Sequence, residues 1–208
     1  MSGRIVLIGG GEHARVVIEA LRSTLGVREP AGFVDPKPCD ETCVRLGVER
    51  LGDEEQLDRH PGLLGVLGFA ALETRQRRAD AVRRLSPRLA GWAAVIHSTA
   101  WVSPTAIVGE GAVILAGAVV QTGAHVGAHC VVNTGAIVEH DVVLGEHTQL
   151  APGAILGGGV RIGAGAYIGL GAAVRDHVSV GSGATVGMGA VVVRNVAAEA
   201  RVMGVPAR

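Results

Sequence analysis

One short segment of the sequence combines three ionisable side chains in a way that suits acid–base chemistry. Glu139, His140 and Asp141 are consecutive, in a region whose other polar positions are mostly Gly, Ala, Ser or Thr. An imidazole is well matched to take a proton from an amine or a hydroxyl at neutral pH. A neighbouring carboxylate can bind its second ring nitrogen and stabilise the imidazolium. We predict His140 as a general base with Asp141 as its partner, and Glu139 is the alternative partner.

Four further histidines belong to the same region and are expected at its turns: His125, His129, His147 and His177. A structural metal site would need several of them to converge as ligands. We expect that they do not stack on one another, and we therefore predict that the protein holds no metal.

A second candidate site lies near the N-terminus. The apolar run 5–8 enters Gly9, Gly10 and Gly11, and helical spacing of apolar residues follows. The backbone amides of such a turn suit a phosphate, and His13 in the first helical turn could donate to it. Asp35 ends the next predicted strand, where a ribose or base contact is expected. The spacing departs from G-x-G-x-x-G, so a plain turn, a turn cap and a buried histidine stay open as structural alternatives.

A six-residue repeat determines the elements that must position the first site. From Ile96 to Val192 every sixth residue is aliphatic, which gives seventeen consecutive hexads, and the residue four places later is always small or β-branched. This period matches no helix but suits a short strand plus a turn in a stacked β-helix. We predict a parallel β-helix over 96–197 and a C-terminal loop over 198–208.

Three hexads that close one coil place residues eighteen apart above one another, about 4.8 Å apart. Thr122 and Gly158 are then the neighbours of His140 in the adjacent coils. A glycine lets a substrate approach its backbone N–H closely, and that N–H could stabilise an oxyanion. We predict Gly158 as this donor; a wide turn that demands glycine is the alternative.

Residues 1–95 show a different pattern, in which short apolar runs alternate with helical spacing. Strands are predicted at 5–8, 32–35, 63–67 and 92–96, with helices after the glycine turn and over 74–85. The charged stretch 40–59 is predicted as loops with a short helix. This alternation is typical of a small parallel α/β domain of Rossmann-like type.

The composition narrows the classes of partner. Nineteen basic and nineteen acidic residues balance, which argues against nucleic acid or an anionic membrane. Cys39, Cys43 and Cys130 lack paired metal spacing and are expected as free thiols, with Cys130 at a core position of the repeat. The apolar run near the N-terminus is too short for a signal segment or a spanning helix, so a cytoplasmic location is expected.

Four stretches, IGGGEHA, GFVD, VNTGAIVEHD and GVPAR, carry a resemblance to a known family. Together they resemble the bacterial nucleotide-sugar N-acetyltransferases, hexapeptide-repeat acyltransferases that are grouped with the sialic-acid O-acetyltransferases. The resemblance covers essentially the whole chain. It implies a left-handed β-helix that binds acetyl-CoA, an N-terminal domain that binds the nucleotide of the sugar, and a homotrimer with active sites between subunits.

The resemblance also implies roles for individual residues. It places the family's base on His140, its carboxylate partner on Asp141, and the amide that meets the acetyl carbonyl on Gly158. Asn133, in the Asn-Thr-Gly-Ala stretch, matches an active-site residue that contacts substrate or orients the site.

Acetyl-CoA contacts are assigned to Gln149, Gly158, Leu170 and Met188. Gln149 stands where the family has a second histidine that reaches the thioester. A glutamine amide can donate a hydrogen bond there but cannot carry a proton.

The nucleotide contacts match the turn from Gly9 to His13 and Asp35. Glu12 replaces the usual glycine of this turn, and a carboxylate that pointed inward would repel a pyrophosphate.

The resulting hypothesis is acetyl transfer from acetyl-CoA to the 4-amino group of a nucleotide-linked amino-deoxysugar, with UDP, GDP and dTDP open as the nucleotide. Transfer to the hydroxyl of a sialic-acid-like sugar would use the same His140. A non-catalytic trimeric scaffold or sensor is the remaining alternative.

Overall fold

The computed structural model of the chain describes residues 4–23, 29–37 and 44–208. Its contacts divide the chain into two compact units, Met1–Ser98 and Thr99–Arg208. Among the described residues, no helix combines the length and the apolar character that crossing a membrane requires. Cys39 and Cys43 lie outside the described residues.

The first unit contains a five-stranded parallel sheet in the order β3-β2-β1-β4-β5. Its strands are β1 (Ile5–Ile8), β2 (Pro30–Val34), β3 (Arg50–Gly52), β4 (Leu64–Leu67) and β5 (Gly91–Trp92). The α-helices are α1 (Glu12–Ser23) and α2 (Arg75–Leu85), and short 3-10 helices span Val44–Leu46, Glu54–Arg59, Leu72–Thr74 and Ser86–Arg88. The alternation of strands and helices agrees with the sequence pattern.

Burial explains why these elements form. All four residues of β1 are buried, as expected for a central strand of a parallel sheet that is covered on both faces. Helix α1 buries Ala14, Val17, Ile18 and Leu21, which share one face at helical spacing. The glycine turn therefore joins a fixed strand to a fixed helix.

Two predictions for this unit are wrong in detail. The described part of the stretch 40–59 contains β3 as well as two short 3-10 helices, Val44–Leu46 and Glu54–Arg59, and β3 pairs in parallel with β2. Its three residues are only half-buried at the sheet edge, so they carry no apolar run that the sequence could show. The predicted strand 92–96 is two strands, β5 and β6 (Val95–Ile96).

The second unit is built from two-residue strands, and all but the last recur every six residues. They are β7 (Trp101–Val102), β8 (Ile107–Val108), β9 (Val113–Ile114), β10 (Val119–Val120), β11 (His125–Val126), β12 (Val131–Val132), β13 (Ile137–Val138), β14 (Val143–Leu144), β15 (Gln149–Leu150), β16 (Ile155–Leu156), β17 (Arg161–Ile162), β18 (Tyr167–Ile168), β19 (Ala173–Val174), β20 (Ser179–Val180), β21 (Thr185–Val186), β22 (Val191–Val192) and β23 (Arg201–Val202).

These strands form three parallel sheets, each of which takes every third strand. The first runs β7, β10, β13, β16, β19, β22; the second runs β8, β11, β14, β17, β20; the third includes β9, β12, β15, β18, β21 and β23. Val120, Val138 and Leu156 illustrate the register, because each pairs with the residue eighteen positions away and all three are buried. The predicted period and stacking are confirmed.

Cys130 occupies the core position that the repeat assigns to it. It is buried, and its thiol donates a hydrogen bond to the carbonyl oxygen of Gly145 at 3.0 Å. Within the described residues, Cys130 forms no disulfide.

The C-terminal segment 198–208 is not entirely loop, as the sequence predicts, because it contains β23. This strand pairs in parallel with β21, and Thr185 lies opposite Arg201. The two residues are sixteen positions apart, so a count in eighteens does not find the pairing.

The core predicts a contrast between two aliphatic residues of the same sheet. Leu144 is buried in β14 and Ile107 is exposed in β8. Leu144→Ala removes buried methyl groups and leaves a cavity, and we expect it to lower the free energy of unfolding by about 2–5 kcal/mol. Chemical denaturation at one protein concentration measures this loss. Ile107→Ala, the matched control, should cost less than about 1 kcal/mol, and equal losses would contradict the inward assignment.

Candidate active site

The predicted base and carboxylate are in direct contact. The turn between β13 and β14 carries both, and His140 Nδ1 lies 3.0 Å from Asp141 Oδ2. The backbone N–H of Asp141 donates to the carbonyl oxygen of Thr122, which anchors the turn to the preceding coil. Both side chains are open to solvent, with 54% and 71% of their surfaces exposed. The imidazole is therefore oriented and accessible.

Asp141 has a backbone conformation that normally belongs to glycine. Its φ is +60°, and the equivalent residues of the adjacent coils are Gly123 and Gly159, with φ of +69° and +68°. Aspartate tolerates the left-handed region better than most residues. A Cβ on Gly123 would lie 2.5 Å from Asp141 Oδ1. The glycine at 123 thus makes room for the carboxylate.

Gly158 lies against the ring of His140. A Cβ at Gly158 would come within 2.6 Å of Cε1 of the imidazole, so any larger residue would displace the ring. Among the described residues, nothing accepts a hydrogen bond from the Gly158 N–H. The structure thus brings His140, Asp141 and Gly158 together, and it gives Gly158 a packing role that the sequence did not indicate. Its role as an oxyanion donor stays a prediction.

The neighbouring carboxylates tune the imidazole. The hydrogen bond to Asp141 raises the pKa of His140 above its ordinary value, partial desolvation opposes this, and the charges of Asp141 and Glu139 add to the increase. A carboxylate can only accept, so the hydrogen bond requires the proton on Nδ1. Nε2 of neutral His140 then carries the lone pair that a base needs.

Asn133 belongs to a different corner of the same coil. It follows β12 and precedes β13, and its Oδ1 accepts a hydrogen bond from the N–H of Thr134 at 2.8 Å. In the described part of the chain, no hydrogen bond joins Asn133 to His140. The side chain is half-buried and stabilises its own turn.

The residues predicted to contact acetyl-CoA are divided between several places. Leu170 and Met188 share the corner of Asn133, eighteen residues apart, and are 48% and 76% exposed. Gln149 lies in β15 and is only 2% exposed. Its Nε2 is buried and, within the described residues, makes no hydrogen bond. One chain alone does not bring these three residues to His140.

The four other histidines behave differently from one another. The expectation that none would stack is wrong for His129 and His147, which are eighteen residues apart. Their rings stack with centroids 5.0 Å apart and an interplanar angle of 14°. His125 and His177 are exposed, and His125 lies in β11 and not in a turn. No group of three or more metal-ligating side chains converges anywhere in residues 4–23, 29–37 and 44–208.

The glycine turn after β1 is tied to Asp35. Gly9 donates its N–H to the carbonyl oxygen of Val34, and Gly10 donates to Asp35 Oδ2 at 3.0 Å. The other carboxylate oxygen, Oδ1, accepts from the N–H of Lys37 at 3.0 Å. Asp35 thus caps two turns at once, as expected if its role is that of a turn cap. It lies at the carboxyl end of β2.

His13 is held in its neutral form. Burial is the main cause that lowers its pKa to about 4, and the positive charge of Arg78 lowers it further. Nε2 is buried and makes no hydrogen bond to the described residues. His13 therefore brings no positive charge to the glycine turn at neutral pH, while Glu12 beside it is exposed.

A cavity of about 860 Å³ opens within the first unit beside this turn. Gly9, Gly11 and Asp35 line it, as the sequence leads one to expect. Phe69 and Arg77 also line it, and sequence reasoning did not find them. Phe69 follows β4 and lies so close to Gly9 that a Cβ there would be 2.9 Å from its ring. The cavity is therefore at the carboxyl ends of β1, β2 and β4.

The chain is similar to several proteins of known structure. No protein-family model matches the sequence, and no curated protein matches it significantly. Perosamine N-acetyltransferase from Caulobacter crescentus, solved with CoA and GDP-perosamine, is 36% identical with a TM-score of 0.90, and the match covers 99% of this chain and 96% of that chain. The chain belongs to the nucleotide-sugar N-acetyltransferases.

Two further solved structures match this chain over nearly their whole length. The acetyltransferase domain of PglB from Neisseria gonorrhoeae, solved with acetyl-CoA, is 33% identical with a TM-score of 0.89, and the match covers 99% of this chain and 98% of that domain. WeeI from Acinetobacter baumannii, at 23% identity and a TM-score of 0.79, covers 99% and 98% and shows the shared fold alone.

The contact between Asp141 and His140 predicts how the imidazole of this N-acetyltransferase titrates. Asp141→Gly fits the left-handed backbone and removes the main cause of the raised pKa. We expect the pKa of His140 to fall, so that the ring stays neutral to a lower pH. Nuclear magnetic resonance titration of the imidazole measures the shift. Glu139→Gln, the control, removes a smaller contribution and should lower the pKa less; a larger effect at Glu139 would contradict the assignment.

Proposed function

We propose that the protein transfers the acetyl group of acetyl-CoA to the 4-amino group of a nucleotide-linked amino-deoxysugar, with His140 as the general base. The observation that carries the proposal is the arrangement of one corner, where an imidazole is oriented by Asp141 and packed on Gly158. Family membership supports the same chemistry, since the similar Caulobacter enzyme acts on a nucleotide-linked amino sugar.

Each residue of this corner has a defined task in the proposed reaction. His140 Nε2 accepts the proton of the attacking amine while Asp141 stabilises the imidazolium that forms. The N–H of Gly158 stabilises the oxygen that becomes negative as the amine attacks the thioester carbonyl. The imidazolium then returns the proton to the departing thiolate, which leaves as the thiol of CoA.

The proposed co-substrate is acetyl-CoA, without a metal. Gln149, Gly158, Leu170 and Met188 are its proposed contacts. The buried Nε2 of Gln149, which has no hydrogen-bond partner among the described residues, is a donor that a thioester carbonyl or a pantetheine amide could satisfy, and this supports its assignment. An amide does not take up a proton at neutral pH, so His140 alone would carry the proton. Since acetyl-CoA is a cytoplasmic metabolite, we place the reaction in the cytoplasm.

The proposed nucleotide site is the cavity of the first unit, which we interpret as a Rossmann-like domain. Parallel α/β sheets bind ligands at the carboxyl ends of their strands, and the cavity lies at such an edge. Gly9, Gly10, Gly11, His13 and Asp35 are proposed to contact or shape the site. Because His13 is neutral and Asp35 caps the turn, we propose that the glycine turn shapes the wall of the cavity and adds no positive charge to it.

A left-handed β-helix and a homotrimer with active sites between subunits complete the proposal. Within one chain, His140 belongs to one corner, whereas Asn133, Leu170 and Met188 belong to another. A second copy could present its own corner to His140. The outward residues of the first sheet, among them Trp101 and Ile155, are apolar, which supports self-association through that face.

His140→Asn tests the proposed base. We expect a loss of about 10²–10⁴-fold in turnover, because asparagine can hold a hydrogen bond but cannot accept the proton. Release of CoA thiol from acetyl-CoA in the presence of UDP-, GDP- and dTDP-linked amino sugars measures it. His60→Asn, an exposed histidine of the first unit, is the control and should retain turnover. Near-normal activity of His140→Asn would remove it as the base, and thiol release with hydroxyl sugars only would favour O-acetylation.

Ile155→Asp tests the trimer. Light scattering of the unchanged protein should give three times the 21.2 kDa mass of the chain. A carboxylate buried in an apolar interface is costly, so the variant should dissociate and lose activity. Ile107→Asp makes the same change on the second sheet, whose outward positions include the charged Arg161, and should remain trimeric. A monomeric unchanged protein, or dissociation by Ile107→Asp alone, would refute the proposed contact face.

A further inference from the structure

The glycine turn supplies shape but no positive charge to the cavity of the first unit. The N–H groups of Gly9 and Gly10 are already donated within the chain, and of the three glycines only Gly11 has an N–H without an acceptor among the described residues. Burial keeps His13 neutral at neutral pH, and the adjacent Glu12 is acidic. A ligand with two negative charges would therefore need a cation from another part of the wall.

Helix α2 contributes Arg77 to this wall at a place where a positive side chain disfavours the helix. Its sequence begins Arg75, Gln76, Arg77, Arg78, and its first turn contains no acidic residue. Positive side chains are unfavourable at the N-terminal end of a helix, because the macrodipole is positive there. Arg78 has a structural task, since its buried guanidinium donates to the carbonyl oxygen of Phe69. No such contact within the described residues accounts for Arg77.

Arg77 lines the cavity and is held over an aromatic ring. Its guanidinium carbon lies 6.0 Å from the centroid of Phe69, the residue that also packs against Gly9. No carboxylate of the described residues forms an ion pair with Arg77. The guanidinium is therefore placed close to the turn after β1 without its charge being neutralised by the chain.

The other charged groups of the wall are differently employed. Arg84 forms an ion pair with Glu54 at 2.9 Å. Asp80 accepts hydrogen bonds from Gln76 and lies 3.6 Å from Arg83. Acidic residues outnumber basic ones in the wall as a whole, because Asp35, Asp53, Glu54, Glu55 and Asp80 face Lys37, Arg77 and Arg84. An anionic group would thus be repelled from most of the cavity.

We infer that Arg77 binds the diphosphate of the nucleotide sugar and fixes where the nucleotide lies in the cavity. A guanidinium presents parallel N–H donors that match phosphate oxygens in pairs, and its weak hydration favours such contacts. The inference rests on the proposed function, because it presupposes that a nucleoside diphosphate enters this cavity. It assigns the charge of the site to α2 and not to the glycine turn or His13.

The experiment compares ligands that differ only in the diphosphate. Calorimetry with GDP, UDP and dTDP identifies the nucleotide that the unchanged protein binds, and competition gives the affinity of the matching nucleoside. Arg77→Gln should weaken binding of the diphosphate by about 10- to 100-fold, the usual effect of losing charge-assisted hydrogen bonds. Binding of the nucleoside should change less than about threefold. Arg77→Lys, which keeps the charge, should recover part of the loss.

Two matched variants separate a local contact from a general change in charge. Arg83→Gln removes the same charge from the same helix at a side chain that is 76% exposed and outside the wall, and it should change diphosphate binding less than about threefold. Lys37→Gln tests the competing cation beside β2. Overturning results are an unchanged affinity in Arg77→Gln, equal losses for nucleoside and diphosphate, or a selective loss in Lys37→Gln alone.

The same experiment distinguishes failure of this inference from failure of the proposed function. If the unchanged protein binds none of the three diphosphates and acetylates no nucleotide sugar, both are refuted. If it binds and acetylates a nucleotide sugar but Arg77→Gln does so equally well, only the role of Arg77 is refuted. Retained thermal midpoints in the variants exclude unfolding as the cause of a loss.

Discussion

Parallel hydrogen bonds between adjacent coils, whose residues stack eighteen positions apart, are the constraint on which the candidate catalytic corner depends. The backbone of Asp141 is bound to Thr122 in the preceding coil, and Gly159 donates to the carbonyl oxygen of His140 from the following coil. These hydrogen bonds determine which side chains lie above one another at a corner, and the inward aliphatic residues hold the three sheets together. Asp141 follows His140 in the chain, and the register places Gly158 of the following coil beside the imidazole. The ring therefore contacts both residues without a further structural element.

The candidate sites of the two units are built in different ways. The second unit repeats one small element, so its candidate site is one corner of a regular stack, where His140 and Asp141 lie between Thr122 and Gly123 of the preceding coil and Gly158 and Gly159 of the following one. In the first unit the candidate site has no repeated frame. Gly9 follows β1, whereas Phe69 follows β4 and Arg77 lies in α2, and the pairing of β1 with β4 brings them to one edge. Charge and shape are therefore provided by different elements there.

This difference explains what the sequence predicts and what it does not. The β-helix and the contact of His140 with Gly158 follow from a short period that any single coil displays. Strand β3 was missed because three half-buried residues at a sheet edge leave no apolar pattern. The stacked pair His129 and His147 follows the same register, because the two residues are eighteen positions apart, and the pair is therefore predictable from the sequence. Arg77 could not be found by spacing, because its place in the wall depends on tertiary packing against Phe69.

The corner residues with positive φ constrain what the preceding coil can carry at the same corner. Three of the side chains at such corners lie over a glycine eighteen residues earlier, as His129 does over Gly111, Asp141 over Gly123 and His177 over Gly159. His147 instead lies over His129, and the two rings stack. Where the later residue is itself glycine, as at Gly135 above Gly117, the space over the earlier one is open. At these corners a side chain thus has either a glycine beneath it or a ring on which it stacks. The carboxylate of Asp141 depends in this way on Gly123, a residue with no chemistry of its own.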